Sequence, residues 1–170
     1  MEQPVISRRR RRALIAVMAV VFVVAAAFTA YLAGVFDDEG SYRSEPRACA
    51  ALEPSLPRLG ATYVPKDDGK NNCGLWLPGA DDAPKITVAY AVIAPARGDA
   101  PDAASSKLQE FAALGFSVLP NLADEAYIRD TNLYFRVSNL LVGITTEPDP
   151  ATTPAAVLAF ARDLATHLQS

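Results

Sequence analysis

Histidine occurs once in this chain, at position 167, and cysteine twice, at positions 49 and 73. Those scarcities narrow the chemistry. Nucleophilic catalysis needs an activated Ser, Cys or Thr beside a base, and the lone imidazole lies at the end of an expected helix, where it meets the negative pole of the helix dipole. Two cysteines and one distant histidine fall short of a four-ligand zinc set. No glycine-rich phosphate loop is present. The stretch Lys66-Asp67-Asp68-Gly69-Lys70-Asn71-Asn72 reads as a solvated turn, because it lacks the Asp-x-Asp-x-Asp spacing and distal Glu of a calcium loop. No cofactor and no metal are implied. Adjacent carboxylates occur at Asp81-Asp82 and Asp124-Glu125, yet glycosidase carboxylates converge across a cleft, and adjacency in sequence does not supply that.

Positive charge is scarce beyond the first dozen residues. Five of the 16 Lys and Arg and one of the 19 Asp and Glu precede residue 13, which leaves 11 against 18 and a net charge of −7 for residues 37–170. A region of that sign is a poor match for nucleic acid, whose binding depends on cationic contacts.

What the sequence does possess is one long uncharged run. Arg8 to Arg12 lead into residues 13–36, which carry no charge, and Asp37-Asp38-Glu39 closes the run. At about 1.5 Å per residue the run makes a helix of roughly 36 Å, enough to cross a hydrocarbon core of about 30 Å with some tilt. Arginine is retained on the cytoplasmic side. The expected organisation is therefore a cytoplasmic basic tail at 1–12, a single-pass transmembrane signal-anchor helix at 13–36, a stalk at 37–46, and an extracellular domain at 47–170. The cell membrane is its expected location. Two rival readings compete with the anchor. Ala25-x-Ala27 offers a signal-peptide cleavage site, but the apolar run continues well past it. Leu32-Ala33-Gly34 resembles the start of a lipobox, but Val35 stands where the lipid-bearing Cys is required.

Outside the cytosol disulfides persist, so Cys49 and Cys73 are expected to pair. Along the exported chain, residues 47–56 can form a short helix, interrupted by Pro54, Pro57 and Gly60. Residues 73–77 read as a strand with the only tryptophan, Trp76. Residues 86–93 alternate, with Ile86, Val88, Tyr90 and Val92 on one face. A helix is expected over 103–114, capped by Asp102 and stopped by Gly115. Short strands follow at 116–119 and 125–129. Residues 133–137 and 140–146 form a hairpin about Ser138-Asn139, because Asn tolerates the positive φ of tight turns. Thr153 caps a last helix with Pro154 at its first position, and Val157, Phe160, Ala161, Leu164 and Leu168 form its apolar stripe. The predicted fold is α+β: an antiparallel sheet of about five to six strands with helices packed on one face.

Several pieces carry a likeness. Cys49 with Leu52, then Cys73-Gly74-Leu75-Trp76, then Leu122-Ala123-Asp124-Glu125-Ala126-Tyr127, then Phe135-Arg136-Val137-Ser138-Asn139-Leu140-Leu141-Val142, together resemble a pattern in actinobacterial exported domains. These include lipoproteins of unassigned function and, more distantly, the extracellular sensor domains of mycobacterial serine/threonine kinases. Ala123 stands where that pattern often has Gly. The resemblance implies an exported binding or sensing domain and transfers no catalytic residue.

The expected function is thus a membrane-anchored, non-catalytic binding or sensory domain. Its partners are the lipid bilayer and a cell-envelope ligand or membrane protein, with a candidate binding surface at Asp124, Glu125, Tyr127, Arg136 and Asn139. The alternative is a structural or assembly partner of other envelope membrane proteins, and a cell-envelope hydrolase is a third reading. Orientation is testable. Replacing Arg8 to Arg12 by glutamate should impair or invert insertion, read by the accessibility of a C-terminal tag. Mature protein whose N-terminal sequence begins near Phe28 would instead establish cleavage and remove the anchor.

Overall fold

In the computed structural model the described residues are 37–69, 71–79 and 83–170, together with Val24, Phe28, Thr29, Tyr31 and Gly34. The basic tail lies outside them, as do most of the expected span at 13–36 and the Asp81-Asp82 pair. Among the described residues no helix is long and apolar enough to cross a membrane. The chain divides after Asp37 into two compact units, of which the second, residues 38–170, carries the sheet.

Helix α1 (Ala48–Leu52) runs directly into a 3₁₀ helix (Glu53–Leu59). Pro54 and Pro57 keep it from continuing as an α-helix, and Gly60 closes it at φ 72°. Seven strands follow: β1 (Val64–Asp67), β2 (Asn72–Trp76), β3 (Ile86–Val92), β4 (Ser117–Val118), β5 (Glu125–Arg129), β6 (Asn132–Val137) and β7 (Leu140–Thr146). Helix α2 (Ala100–Ala113) connects β3 to β4, and α3 (Pro154–Gln169) ends the chain. The strands form one antiparallel sheet in the order β1-β2-β3-β7-β6-β5-β4. Its centre is the β3–β7 pair, in register from Ile86 opposite Thr146 to Val92 opposite Leu140.

Alternation along the strands decides the layers. Ile86, Val88 and Tyr90 of β3, Leu133, Phe135 and Val137 of β6, and Leu140, Val142 and Ile144 of β7 are all buried. They form one core with Leu52 of α1, Leu59 of the 3₁₀ helix, and Val157, Phe160, Ala161 and Leu164 of α3. Each Val, Leu, Ile or Phe among them contributes about 1.5–3 kcal/mol by leaving water, before conformational entropy is offset.

The α+β architecture is as expected, but four details differ. First, the sheet has seven strands, because Val64–Asp67, which runs into the turn expected from Lys66, is an edge strand. Pro65 and Lys66 suit an edge, where an absent N–H and a charge deter further pairing. Second, the helices do not share one face. Leu108 of α2 packs with Phe116 and Tyr127 on the opposite side of the sheet, beside Phe111, Tyr134 and Leu141. The outward positions of β5, β6 and β7 thus carry enough apolar surface to hold a helix of their own. Third, α2 begins at Ala100 with Asp99 in the cap position and Pro101 in its first turn, where a missing N–H costs nothing. Fourth, Ser138, at φ 54°, takes the positive φ of the β6–β7 turn, while Asn139 turns inward and is fully buried.

The expected stalk is also folded onto the domain from Asp38 onward. Asp38 N–H donates to Asp99 Oδ1 (2.6 Å), and the Asp38 carbonyl accepts from Ala100 N–H (2.7 Å). Ser41 N–H donates to Ser138 Oγ (2.9 Å), and the Tyr42 hydroxyl donates to the Leu168 carbonyl.

Cys49 and Cys73 are disulfide-bonded, with Cα atoms 5.0 Å apart, which fastens α1 to β2. Cys73→Ser should lower the unfolding free energy by about 2–5 kcal/mol, as for removal of a native bridge from a small secreted domain. Denaturant melts of oxidised wild type against the variant check this, and equal midpoints would refute it.

Candidate functional site

The residues singled out from sequence fall into two groups. Glu125 and Arg136 stand directly opposite each other on β5 and β6. Arg136 Nε donates to Glu125 Oε2 (3.2 Å), and its Nη1 lies 3.5 Å from Asp124 Oδ2 and donates to the Ser138 carbonyl (3.1 Å). Ser105 Oγ on α2 donates to Glu125 Oε2 (2.6 Å), and the Tyr127 hydroxyl to Oε1 (3.3 Å). Asp124 Oδ2 accepts from Ser138 N–H (2.6 Å). Burial pushes the Glu125 carboxyl up, but hydrogen bonds from Ser105, Arg136 and Gln109, with the Arg136 charge, hold it below the ordinary carboxylate value. The arrangement ties α2 to the sheet and closes the β6–β7 turn.

Asn139 is wholly interior. Its Nδ2 donates to the carbonyls of Tyr42 (2.9 Å) and Ile93 (3.1 Å), and its Oδ1 accepts from Tyr42 N–H (2.9 Å). A buried amide used this fully is a structural staple between the strap at 38–46, the end of β3 and the β6–β7 hairpin. Of the five candidates, four form one satisfied cluster and the fifth lies inside the fold.

A second cluster has no signature in the sequence. Ser55 of the 3₁₀ helix meets Asp163 and His167 of α3, over 108 and 112 positions of chain. Serine, carboxylate and imidazole together suggest a hydrolytic triad, but the geometry does not support one. A triad places the nucleophile at Nε2 and the acid at Nδ1. Here Ser55 Oγ (3.3 Å) and Asp163 Oδ2 (3.2 Å) both face Nδ1. Ser55 is 0% exposed and donates to Asp163 Oδ2 (3.0 Å), while Arg58 Nε donates to Oδ1 (2.9 Å). The Ser55 hydrogen bond first, then Arg58, holds the Asp163 carboxyl below its ordinary value. The cluster clamps the 3₁₀ helix onto α3.

The third feature is open. Between the loop before β5 and the C-terminal half of α3 lies a cleft of about 450 Å³, floored by Leu122 and Ala165 and rimmed by Asn121, Arg162, Thr166 and Gln169. Asn121 (φ 60°) and Ala123 (φ 52°) both adopt the left-handed conformation. Asn tolerates it, whereas for Ala it costs about 1–2 kcal/mol. Among the described residues the side chains of Asn121, Arg162 and Gln169 make no hydrogen bond or ion pair within the protein. Thr166 Oγ1 is occupied, donating to the Arg162 carbonyl (2.9 Å). Sequence reasoning passes over these residues because they are solvent-side positions of an amphipathic helix and a loop, and only the fold brings them to one rim. Among the described residues no cluster of His, Cys, Asp and Glu suits a metal ion.

The chain matches no family model, no curated protein and no solved structure.

Arg136→Ala should lower stability by about 1–3 kcal/mol, between the values of exposed and fully buried pairs, read by thermal melting at neutral pH. Because Glu125 and Asp163 have depressed folded values, their stabilisation is fully present above the ordinary carboxylate range near about pH 4 and is lost as pH falls through those lower values. Melts taken down in pH should therefore show wild type losing stability on the acid side, and Arg136→Ala losing less. A pH profile parallel to wild type would refute the Glu125–Arg136 coupling.

Proposed function

We propose that the protein is a binding domain tethered to the cell membrane and held outside the cytoplasm, with no catalysis of its own. The location draws on three features. Arg8 to Arg12 precede an uncharged run at 13–36. Within that run Val24, Phe28 and Tyr31 are helical and 62%, 60% and 71% exposed, at a spacing that places them on one helical face and suits lipid. The Cys49–Cys73 bridge supports that location, since disulfides persist in oxidising compartments.

The binding role rests on one observation, the open cleft over α3. Its rim holds three polar side chains unused by the fold, while the polar clusters at Glu125–Arg136 and Ser55–Asp163 satisfy themselves. Its volume lies in the range of small-ligand sites, about 300–1,000 Å³. The bilayer is one partner, and the ligand of the cleft comes from the envelope.

Both halves can be tested. Every lysine lies beyond residue 37, so a membrane-impermeant amine reagent on intact cells should label Lys66 and Lys107 and spare the N-terminal amine. Unlabelled lysines would sink the location. For binding, full-length protein in detergent micelles should retain soluble cell-wall fragments. Gln169→Trp, which fills the cleft from an exposed position, should abolish retention without moving the melting temperature. Equal retention by the variant, or none by wild type, would sink the role.

A further inference from the structure

We infer that the cleft is a carboxylate site: Arg162 takes a carboxylate, and Asn121 and Gln169 read an amide or hydroxyl beside it. This rests on the binding reading above and adds the ligand chemistry. Charge is the first argument. In a region with 11 basic residues against 18 acidic ones, a cation finds a carboxylate easily, and among the described residues Arg162 has none. On α3 the positions three and four residues away are Leu158, Ala159, Ala165 and Thr166, so no intrahelical ion pair forms. The adjacent Asp163 is spent on Arg58 and Ser55.

Shape and charge count come next. A guanidinium presents donors in a fixed fork that matches a carboxylate with two parallel bonds. The buried floor of Leu122 and Ala165 removes water from one side of that pair, which strengthens it. Only one uncompensated cation lines the cleft. Arg58 lines the adjoining hollow of about 340 Å³, but Asp163 neutralises it there. A single positive charge suits a monoanionic carboxylate better than a phosphate dianion. Side-chain amides both donate and accept, so Asn121 and Gln169 fit neighbouring groups that do the same. Leu119 N–H donating to the Ala126 carbonyl (2.8 Å) and Asp124 N–H to the Arg136 carbonyl (3.1 Å) hold both ends of this loop. Sugar acids and peptide C-termini share this chemistry.

The test uses full-length protein in detergent micelles and ligand-observed NMR. The acidic probes are glucuronate and N-acetyl-glycyl-glycine. The controls are glucose, the corresponding peptide amide and inorganic phosphate. At least one acidic probe should saturate below roughly 10 mM, about tenfold tighter than its neutral counterpart and than phosphate, and weaken about tenfold or more in Arg162→Gln and in Asn121→Gly, which removes the amide while keeping a residue at ease with positive φ. Which acid binds identifies the source. Both variants alter exposed, unpartnered side chains, so unchanged melting temperatures exclude unfolding as the cause. The inference is overturned if neither acid saturates, if phosphate or a neutral probe binds as tightly, or if Arg162→Gln binds like wild type. Cell-wall retention blocked by Gln169→Trp, together with any of those outcomes, would leave the binding role standing and remove only the carboxylate.

Discussion

Everything in this fold depends on the pairing of β3 with β7. Strands β1 to β3 form one meander and β4 to β7 another, and the ladder from Ile86–Thr146 to Val92–Leu140 is what joins them into one sheet. The partners are some fifty residues apart in the chain, so the ladder forms only against the entropy of closing a long loop, a cost that grows slowly with loop length. The core repays it. Val88 and Ile144 face each other across the seam and both are 0% exposed. Because β3 and β4 lie far apart in the sheet, the connection between them crosses its outer side, and that crossing is α2.

Around this frame, polar groups act as fasteners at points where elements distant in sequence meet. Asn139 joins the strap to the hairpin, Glu125 joins α2 to β5 and β6, and Asp163 joins the 3₁₀ helix to α3. Each sits where an unmatched polar group would cost more than the bond returns, so each cluster is close to complete. The hydroxyl of Tyr90 is the exception among the described side chains: it is buried without a hydrogen-bond partner.

What is legible in the sequence is what alternation and local chemistry encode. β3 and the β6–β7 hairpin repeat with period two, and the Thr153-Pro154 start of α3 is written in its own residues, with Thr153 Oγ1 accepting from Ala156 N–H (3.2 Å). β1 is hidden because an edge strand of Val, Pro, Lys and Asp has no buried face to produce a pattern. Placement of α2 is hidden because helical periodicity reports an apolar stripe and not which side of the sheet receives it. Asn139 reads as a turn residue and is one, but Ser138 takes the positive φ and the Asn139 side chain is buried, neither of which intrinsic preference reports. Ala123 is the opposite case: its residue type announces no turn, yet its backbone adopts a φ of 52° that glycine takes far more readily. The cleft leaves no trace at all, since exposed polar positions have no period.

The strap has a mechanical consequence. Tension entering the domain at Asp38 meets its bonds to Asp99 and Ala100 first, then Ser41 with Ser138, then the Asn139 amide. Gly40 belongs to this seam, since a Cβ there would collide with the Asn139 side chain. Load entering there therefore meets the start of α2 and the β6–β7 turn before any strand, with this row of bonds standing between it and the sheet.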